Sequence, residues 1–344
     1  MKYTFPLLAV IALVGIAWLG SLIPGSQYIF GIVVPYAAMA FFLGGFVRKV
    51  LNWGKSPVPF KITTTCGQGE SLPWIKHDKL EAPMTTGQVV ARMAMEIFLF
   101  RSLWRNTKSE VHEGPKLTYE SSKWLWLFGI IFHYSFLVIV LRHMRLFLDP
   151  VPGLVQLLEF GDGIVQVGAP HMYLTNVGIL LGVVFLFGRR LINPHVRYIS
   201  LANDYFPLFL IFGIAVTGVL MRYAFRTDVD IVAIKQLAVG LVTFHPAVSA
   251  SAISAKIGAI FYIHIFLVSI LLAYFPFSKL MHLGGIFFSP TRNMANDNRA
   301  VRYINVWNPE IKPHSYSSYE DEFREFMVNA GIPVEKELPE KSGE

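Results

Sequence analysis

Six long apolar runs, separated by polar segments, dominate the hydrophobic pattern of this chain. Each run is close to the roughly 20 residues that a helix needs to cross the hydrocarbon core of a bilayer. The predicted spans cover residues 4–23, 28–47, 124–148, 172–188, 205–222 and 257–281. The pattern therefore predicts an all-α integral membrane protein with six transmembrane helices.

The longest polar segment, residues 51–123, lies between the second and third spans. Within it, "TTGQVVARMAMEIFLFRSLW" predicts a helix capped at Thr85 or Thr86. Arg92, Glu96 and Arg101 interrupt its apolar surface. We therefore expect this helix to lie at the membrane interface, and not to form a seventh crossing.

Composition and charge agree with a membrane location. The chain is 53% hydrophobic and 15% charged, with a mean hydropathy of +0.48. If the amino terminus is cytoplasmic, 24 of the 30 Lys and Arg residues fall in cytoplasmic segments. The positive-inside rule then predicts that both termini face the cytoplasm and that the host is the cytoplasmic membrane. Because topology accounts for the excess of positive charge, nucleic-acid binding is excluded.

The single cysteine, Cys66, narrows the choice of redox chemistry. One cysteine excludes an intrachain disulfide, a four-cysteine iron–sulfur site and covalent attachment of c-type haem. A redox metal in this chain would therefore need histidine ligands.

His133 and His143 both lie inside the third span, where ionisable side chains are costly and usually mark a functional site. Ten helical residues separate them by roughly 15 Å along the axis and about 80° around it. Both can thus face one side of a bundle at different depths. The alternative is that one is a core histidine and the other lies at the water boundary.

His245 and His264 are the predicted partners of these two histidines. His264 lies inside the last span, which runs opposite to the third, and His245 precedes it in "TFHP". We predict that His143 and His245 form an outer pair and that His133 and His264 form an inner pair. Each pair could bind a haem iron from two helices. A continuous helix would place His245 and His264 about 28 Å apart, so the chain near Pro246 is predicted not to be helical throughout.

The remaining histidines are predicted to lie at surfaces or boundaries. His282 follows the last span and is interpreted as an interfacial imidazole, and His171 begins the fourth span on the outer side. The other four lie in polar segments: His77, His112, His195 and His314.

At these residues the sequence resembles the cytochrome b gamma subunit of respiratory nitrate reductase. The resemblance covers residues 124–283 through "FHYSFLVIVLRH", "GRRLINPHVRYISLANDYFPL", "TFHP", "YIHIF" and "FPFSKLMHLGG". The two amino-terminal spans, "TTTCGQGESLPWIK" and "FFSPTRNMANDNRAVRYINVW" are similar to relatives in heterodisulfide-reductase-like complexes. Among these are the sulfite-reduction-associated Dsr complex and an archaeal menaquinol-oxidising complex.

The resemblance implies a domain organisation. Residues 1–50 would form an amino-terminal two-helix hairpin and residues 51–123 a cytoplasmic loop with the interfacial helix. A di-haem four-helix core of the nitrate reductase gamma type would cover residues 124–283, and a cytoplasmic tail residues 284–344.

The resemblance also implies two b-type haems and a quinol substrate, menaquinol. Electrons would pass from the outer to the inner haem and then to a cytoplasmic iron–sulfur subunit resembling the heterodisulfide reductase catalytic subunit. Further membrane and cytochrome c subunits are expected in the same complex, which would serve dissimilatory sulfur metabolism.

Several polar residues are candidates for contacts with haem or quinol. The alternative for each is an ordinary polar residue of a loop or an ordinary basic residue at the end of a span. Glu159, Asp162 and His171 are the candidate quinol contacts in the outer connection. The candidates for binding haem propionates are Arg142, Arg145, Arg189, Arg190 and Arg222. Two alternatives remain open: a membrane anchor or transporter without redox function, and a cytochrome resembling ferric reductases or cytochrome b561.

Overall fold

The computed structural model describes residues 2–56, 67–114, 116–163, 165, 170–253, 257–297 and 313–336. Cys66 lies outside these residues. The chain divides into two compact units. The first comprises Met1–Ser56 and Ile62–Asn296, and the second comprises Pro57–Lys61 and Asp297–Glu344.

Within the described residues, six helices are long and apolar enough to cross a membrane, as predicted. They are Thr4–Ser21, Ser26–Gly54, Lys123–Leu146, Leu174–Ile192, Ala202–Tyr223 and Ala259–Phe277. The long second span contains a π-helical turn at Ile29–Val33. The span Ala202–Tyr223 is followed by a short 3₁₀ turn at Arg226–Asp228, and the span Ala259–Phe277 ends in a 3₁₀ turn at Phe275–Phe277.

The elements are labelled in chain order. The helices are α1 Thr4–Ser21, α2 Ser26–Tyr28, α3 Val34–Gly54, α4 Thr86–Leu99, α5 Arg101–Arg105, α6 Lys123–His143, α7 Gly153–Asp162, α8 Leu174–Ile192, α9 Pro194–Ile199, α10 Ala202–Tyr223, α11 Ile231–Val242, α12 Pro246–Ile253, α13 Ala259–Tyr274, α14 His282–Gly285 and α15 Tyr316–Asn329. Two antiparallel strands, β1 Thr107–His112 and β2 Lys116–Ser121, form a hairpin that the sequence pattern did not predict.

The spanning helices form a bundle with α13 at its centre. α13 packs against α1, α3 and α10, while α10 also packs against α8, and α8 against α6. The core between them is aliphatic and aromatic, with Leu210 of α10 and Leu267 of α13 fully buried. α6, α8, α10 and α13 therefore follow one another as packed neighbours within the bundle.

Two glycines in α8 bring α6 and α8 unusually close. Gly178 and Gly182 are four residues apart, so they lie on one face of the helix. A Cβ atom at Gly178 would lie 2.3 Å from Ser135 Oγ, and one at Gly182 would lie 2.8 Å from Phe132 Cβ. Small residues at this spacing commonly allow close helix packing in membranes. This contact fixes how closely α6 lies against α8.

A polar cap precedes α6 and consists of residues 67–84 with α4 and α5. Thr85 Oγ1 accepts a hydrogen bond from Gln88 N, which confirms the predicted cap of α4. Arg92 and Glu96 are buried, whereas Val90 and Phe98 are 62% and 60% exposed. The polar face of α4 thus points inward and its apolar face outward, as suits a helix on a membrane surface.

A buried ion network holds the polar cap together. Glu81 accepts hydrogen bonds from Arg101 and, at 2.7 Å, from Arg105, while Arg92 Nη1 donates to Glu81 O. Burial lowers the pKa of the Arg92 guanidinium from its usual value, against the opposing effect of the Glu81 and Glu96 carboxylates. The residues that interrupted the apolar pattern of α4 are therefore structural contacts of the cap.

The second unit contains α15, and Ser315 caps its start by accepting a hydrogen bond from Ser318 N. The buried Glu320 carboxylate accepts hydrogen bonds from Glu335 N at 2.8 Å and Lys336 N at 2.7 Å. The hydrogen bond from Glu335 N is the main reason that the pKa of Glu320 lies below its usual range.

Candidate functional site

Four histidines of the bundle lie in two facing pairs. His143, the last residue of α6, faces His264 of α13 with ring centroids 6.5 Å apart and ring planes 10° from parallel. His133, further back in α6, faces His282 at the start of α14, with centroids 6.0 Å apart and planes 81° apart. A metal ligated by one nitrogen of each ring places two imidazole centroids roughly 6 to 6.5 Å apart. Both separations therefore suit two imidazoles that would hold one metal ion between them.

The structure brings the histidines together differently from the predicted pairs in two respects. His264 faces His143 and not His133, because α13 begins at Ala259 and His264 lies near the same end of the bundle as the end of α6. His282, interpreted as an interfacial imidazole, is the residue that faces His133. The chain turns through short 3₁₀ segments between Phe275 and Met281, which carries His282 back towards α6.

His245 faces none of these histidines. As predicted, the chain near Pro246 is not continuous helix: α11 ends at Val242, Phe244 has a φ of +57°, and α12 begins at Pro246. His245 therefore lies exposed at the turn between two short helices. The reason is tertiary, because α11 and α12 pack against each other and the chain turns back at this point.

In all four facing histidines, Nδ1 is hydrogen-bonded to an oxygen atom, so Nε2 is the nitrogen that can bind a metal. Nδ1 of His133 lies 2.7 Å from Gly129 O, Nδ1 of His143 lies 2.7 Å from Ile139 O, and Nδ1 of His282 lies 2.8 Å from Lys279 O. A carbonyl oxygen can only accept, so Nδ1 must carry the hydrogen and Nε2 the lone pair. This is the tautomer that a metal-ligating imidazole needs.

The fourth histidine, His264, uses a side chain for the same purpose. Its Nδ1 lies 2.9 Å from Thr217 Oγ1 in α10. The Thr217 hydroxyl also lies 2.9 Å from Gly213 O and 3.0 Å from Ile214 O, to which it donates its single hydrogen. Thr217 can therefore accept the hydrogen of His264 Nδ1, which again leaves Nε2 unprotonated. The sequence analysis did not select Thr217, since a threonine inside a span gives no periodic signal.

Next to the His143–His264 pair, two arginines stack on one tyrosine. The guanidinium carbons of Arg142 and Arg222 lie 3.7 Å and 4.1 Å from the ring centroid of Tyr173. Among the described residues, the Nε atoms of both arginines are buried without a hydrogen-bond partner. Buried donors normally find an acceptor, so this cluster fits an additional anionic group such as a haem propionate.

The predicted quinol contacts are partly engaged in ion pairs. Asp162 Oδ2 lies 2.8 Å from Arg142 Nη1 with both side chains buried, and the Asp162 carboxylate also accepts hydrogen bonds from Thr175 N and Oγ1. Glu159 Oε1 lies 2.7 Å from Arg145 Nη1. Asp162 thus caps the first turn of α8 and anchors Arg142, which leaves it little capacity to accept a proton from a substrate.

His171 differs from these two carboxylates because its side chain is exposed. Its carbonyl oxygen accepts hydrogen bonds from Arg222 Nη2 at 3.3 Å and from the Tyr223 hydroxyl at 3.0 Å.

The predicted inner arginines lie at the end of α8. Arg190 Nη1 donates to Ser200 Oγ at 3.1 Å, and Arg189 is half-buried beside it. Nearby, Lys279 Nζ lies 2.5 Å from Asp204 Oδ1, which ties the segment before His282 to the start of α10. This ion pair positions the turn that presents His282.

Comparison with known proteins places this geometry in a family. The family model described as the nitrate reductase gamma subunit matches residues 88–303. The chain belongs to the nitrate reductase gamma subunit family. The match includes all four facing histidines and excludes the amino-terminal spans α1 to α3, so those two spans are additions to the family's common core.

Two archaeal relatives extend this similarity beyond the family core. Both are described as the Hdr-like menaquinol oxidoreductase cytochrome b-like subunit. The protein from Archaeoglobus fulgidus is 44% identical over 288 residues, which cover 83% of this chain and 85% of the relative. The protein from Archaeoglobus profundus is 42% identical over 288 residues, covering 83% and 84%. Membership of the family and the six spans together confirm the expected multi-pass membrane protein.

Proposed function

We propose that this protein is the membrane cytochrome b subunit of a menaquinol oxidoreductase and that it binds two b-type haems. The observation that carries the proposal is that two pairs of imidazole rings face each other, and that in each ring Nδ1 is hydrogen-bonded while Nε2 carries the lone pair. His143 and His264 would ligate the outer haem, and His133 and His282 the inner haem. The names of the two archaeal relatives support menaquinol as the electron donor.

Bound haem would supply one-electron redox chemistry, and the chain's own residues would set its conditions. The hydrogen bonds from Nδ1 to Gly129, Ile139, Lys279 and Thr217 hold the rings in place and increase their basicity as ligands. Arg142 and Arg222, whose Nε atoms have no hydrogen-bond partner among the described residues, would bind the propionates of the outer haem. Arg189 and Arg190 remain the proposed contacts for the inner haem, whereas Arg145 is already paired with Glu159.

Electrons would enter at the outer haem and leave from the inner haem to a cytoplasmic iron–sulfur subunit of the heterodisulfide reductase type. The position of the polar cap supports the exit of electrons on the side of His133, because the ring of Phe100 in the cap contacts the His133 ring with centroids 5.0 Å apart. Dissimilatory sulfur metabolism, further membrane and cytochrome c subunits, and a cytoplasmic location of both termini complete the proposal.

Histidine variants test both the presence of haem and the pairing. We expect His282→Ala to lose the inner haem and His264→Ala to lose the outer haem, while His245→Ala retains both. The measurement is the pyridine haemochrome content of the purified complex. Electron paramagnetic resonance identifies the haem that remains, because perpendicular imidazole planes give a far more anisotropic low-spin ferric signal than parallel planes.

Two results would contradict the proposal. Purified wild-type complex without b-type haem would favour the alternative of a membrane anchor or transporter. Loss of one haem in His245→Ala, with both retained in His282→Ala, would restore the ligand set first predicted from the sequence.

A further inference from the structure

Helices α11 and α12 form a helical hairpin, residues 231–253, whose two ends are tied together. Val229 and Ile257 form an isolated β-bridge, and Gly258 N donates to Asp228 O at 2.9 Å. The helices approach closely at Gly240, where a Cβ atom would lie 2.4 Å from Ser249 Oγ. With 12 and 8 residues, neither helix is long enough to cross a bilayer.

The helical hairpin runs alongside the span Ser26–Gly54 and penetrates to its middle. Side chains of Leu237 and Ile253 lie within 3.4 Å of a Cβ position at Gly31. Further along, the Tyr36 hydroxyl donates to Leu241 O at 3.1 Å. Tyr36 is ten residues from Ser26, or about 15 Å along the helix, which is half of the roughly 30 Å hydrocarbon core. The turn of the hairpin therefore lies near the centre of the membrane.

This turn exposes an aromatic ring and an imidazole. Phe244 is 78% exposed, has a φ of +57° and stacks on Tyr36 with centroids 5.9 Å apart and planes at 12°. A positive φ is strained for a bulky residue and tends to persist where function requires it. His245 is also exposed, and its ring has no hydrogen-bond partner in the part of the chain that the structure describes.

An imidazole without a polar partner at membrane depth is costly, so a bound group should supply the missing hydrogen bond. The group must reach the site through lipid, offer a flat ring to Phe244 and carry a hydroxyl for His245. A quinol headgroup meets all three conditions. A polar segment of another protein could also pair with His245, but it would not account for the stacked ring pair.

The helical hairpin also contacts the elements that carry the His143–His264 pair. α11 packs against the turn Met144–Leu146 that directly follows His143. The hydrophobic cluster under the hairpin contains Leu237, Tyr262 and Ile265, and the last two flank His264 in sequence. A ring bound at the turn would therefore lie beside the helices of the outer pair.

We propose that His245, Phe244 and Tyr36 form a binding site for the quinol headgroup, with Nε2 or Nδ1 of His245 hydrogen-bonded to a quinol hydroxyl. This proposal rests on the proposed function, because it specifies where that function's substrate binds. It assigns to the helical hairpin the role that the sequence analysis gave to His171, Asp162 and Glu159.

Binding of a menaquinol analogue, a 4-hydroxyquinoline N-oxide, to the haem-containing complex tests the site by fluorescence quenching. We expect His245→Leu to weaken binding about ten-fold, the effect of losing one hydrogen bond in an apolar site. Phe244→Gly should weaken it as well, and glycine suits the positive φ, so the fold should persist. His171→Ala is the matched control and should bind like the wild type.

Haem content and dithionite-reduced spectra of each variant separate this proposal from the preceding one. Normal spectra with weakened binding in the two hairpin variants support the site. Unchanged binding in His245→Leu would overturn it, and weakened binding in His171→Ala alone would move the site to the outer connection. If His245→Leu binds the analogue normally but loses a membrane subunit that co-purifies with the wild type, the proposal is overturned and the turn is a protein contact.

Discussion

At the scale of single residues, Thr217 tests whether His264 is a tuned metal ligand. Thr217→Val keeps the shape of the side chain but leaves the hydrogen of His264 Nδ1 without its acceptor. The imidazole then becomes a weaker donor to iron, and changes of this kind cost about 10–100-fold in metal affinity or activity. We expect lower occupancy of the outer haem and a higher midpoint potential, measured by redox titration of the haem spectra.

Thr217→Ser is the control for this experiment, because it retains the hydroxyl that accepts from His264. It should keep the wild-type potential. An unchanged outer-haem potential in Thr217→Val would show that Thr217 only packs against the ring.

Three of the four facing histidines could be identified from sequence, because an imidazole inside an apolar run is rare. His282 could not, since it follows Pro276 and lies just beyond the predicted span. Its distance from His264 carries a signal nonetheless: eighteen residues are roughly five helical turns, which places both on one face. His245 was chosen instead because "TFHP" precedes the same span, and only the tertiary fold shows that this segment is the turn of a helical hairpin.

At the scale of elements, the corner between α4 and α5 is held onto α6 by two side chains. Trp126 Nε1 donates to Leu99 O at 2.7 Å, and the Tyr134 hydroxyl donates to Phe98 O at 2.8 Å. These two carbonyl groups belong to the last turn of α4, where no backbone N–H of the helix is available to donate to them. The hydrogen bonds from Trp126 and Tyr134 hold the end of α4 in place where Phe100, with a φ of +50°, turns the chain beside His133.

We expect the double variant Trp126→Phe and Tyr134→Phe to loosen this corner. Each lost hydrogen bond is worth about 1 kcal/mol, so amide exchange in residues 86–105 should accelerate about five-fold per bond. Hydrogen–deuterium exchange in detergent measures this effect. Tyr119→Phe on the exposed strand β2 is the control and should leave residues 86–105 unchanged.

Hydrophobic periodicity was sufficient to predict the six spans and the cap of α4, because length and capping chemistry are local properties. It predicted a continuous helix through Trp104, whereas the structure breaks at Phe100. The break depends on Trp126 and Tyr134, which are distant in sequence. The helical hairpin was missed for a similar reason, since a short apolar run does not indicate whether it crosses or turns back.

At the scale of the whole molecule, the distribution of Lys and Arg predicts the orientation in the membrane. We expect a reporter that fluoresces only in the cytoplasm to be active when fused to either terminus. The reason is that segments rich in Lys and Arg stay on the cytoplasmic side, and this topology places 24 of the 30 such residues there. A periplasmic reporter inserted within residues 149–170 should be active and serves as the opposite control. Periplasmic activity at either terminus would contradict the predicted topology.

The fold class and the redox class could both be predicted for the whole chain, because they depend on composition and on the few histidines at membrane depth. The arrangement of ligands could not, since it depends on how far the chain between Tyr274 and His282 turns back towards α6. The proposed quinol site was also beyond sequence reasoning, because Tyr36 and Phe244 meet from distant parts of the chain.

One uninterrupted helix, α6, carries one histidine of each facing pair. A helix changes little in length along its axis, so ten residues of α6 keep the backbones of His133 and His143 about 15 Å apart. Electron tunnelling slows exponentially with distance. Movements of the helical hairpin on one side, or of the polar cap on the other, would leave the spacing of these two proposed ligands unchanged.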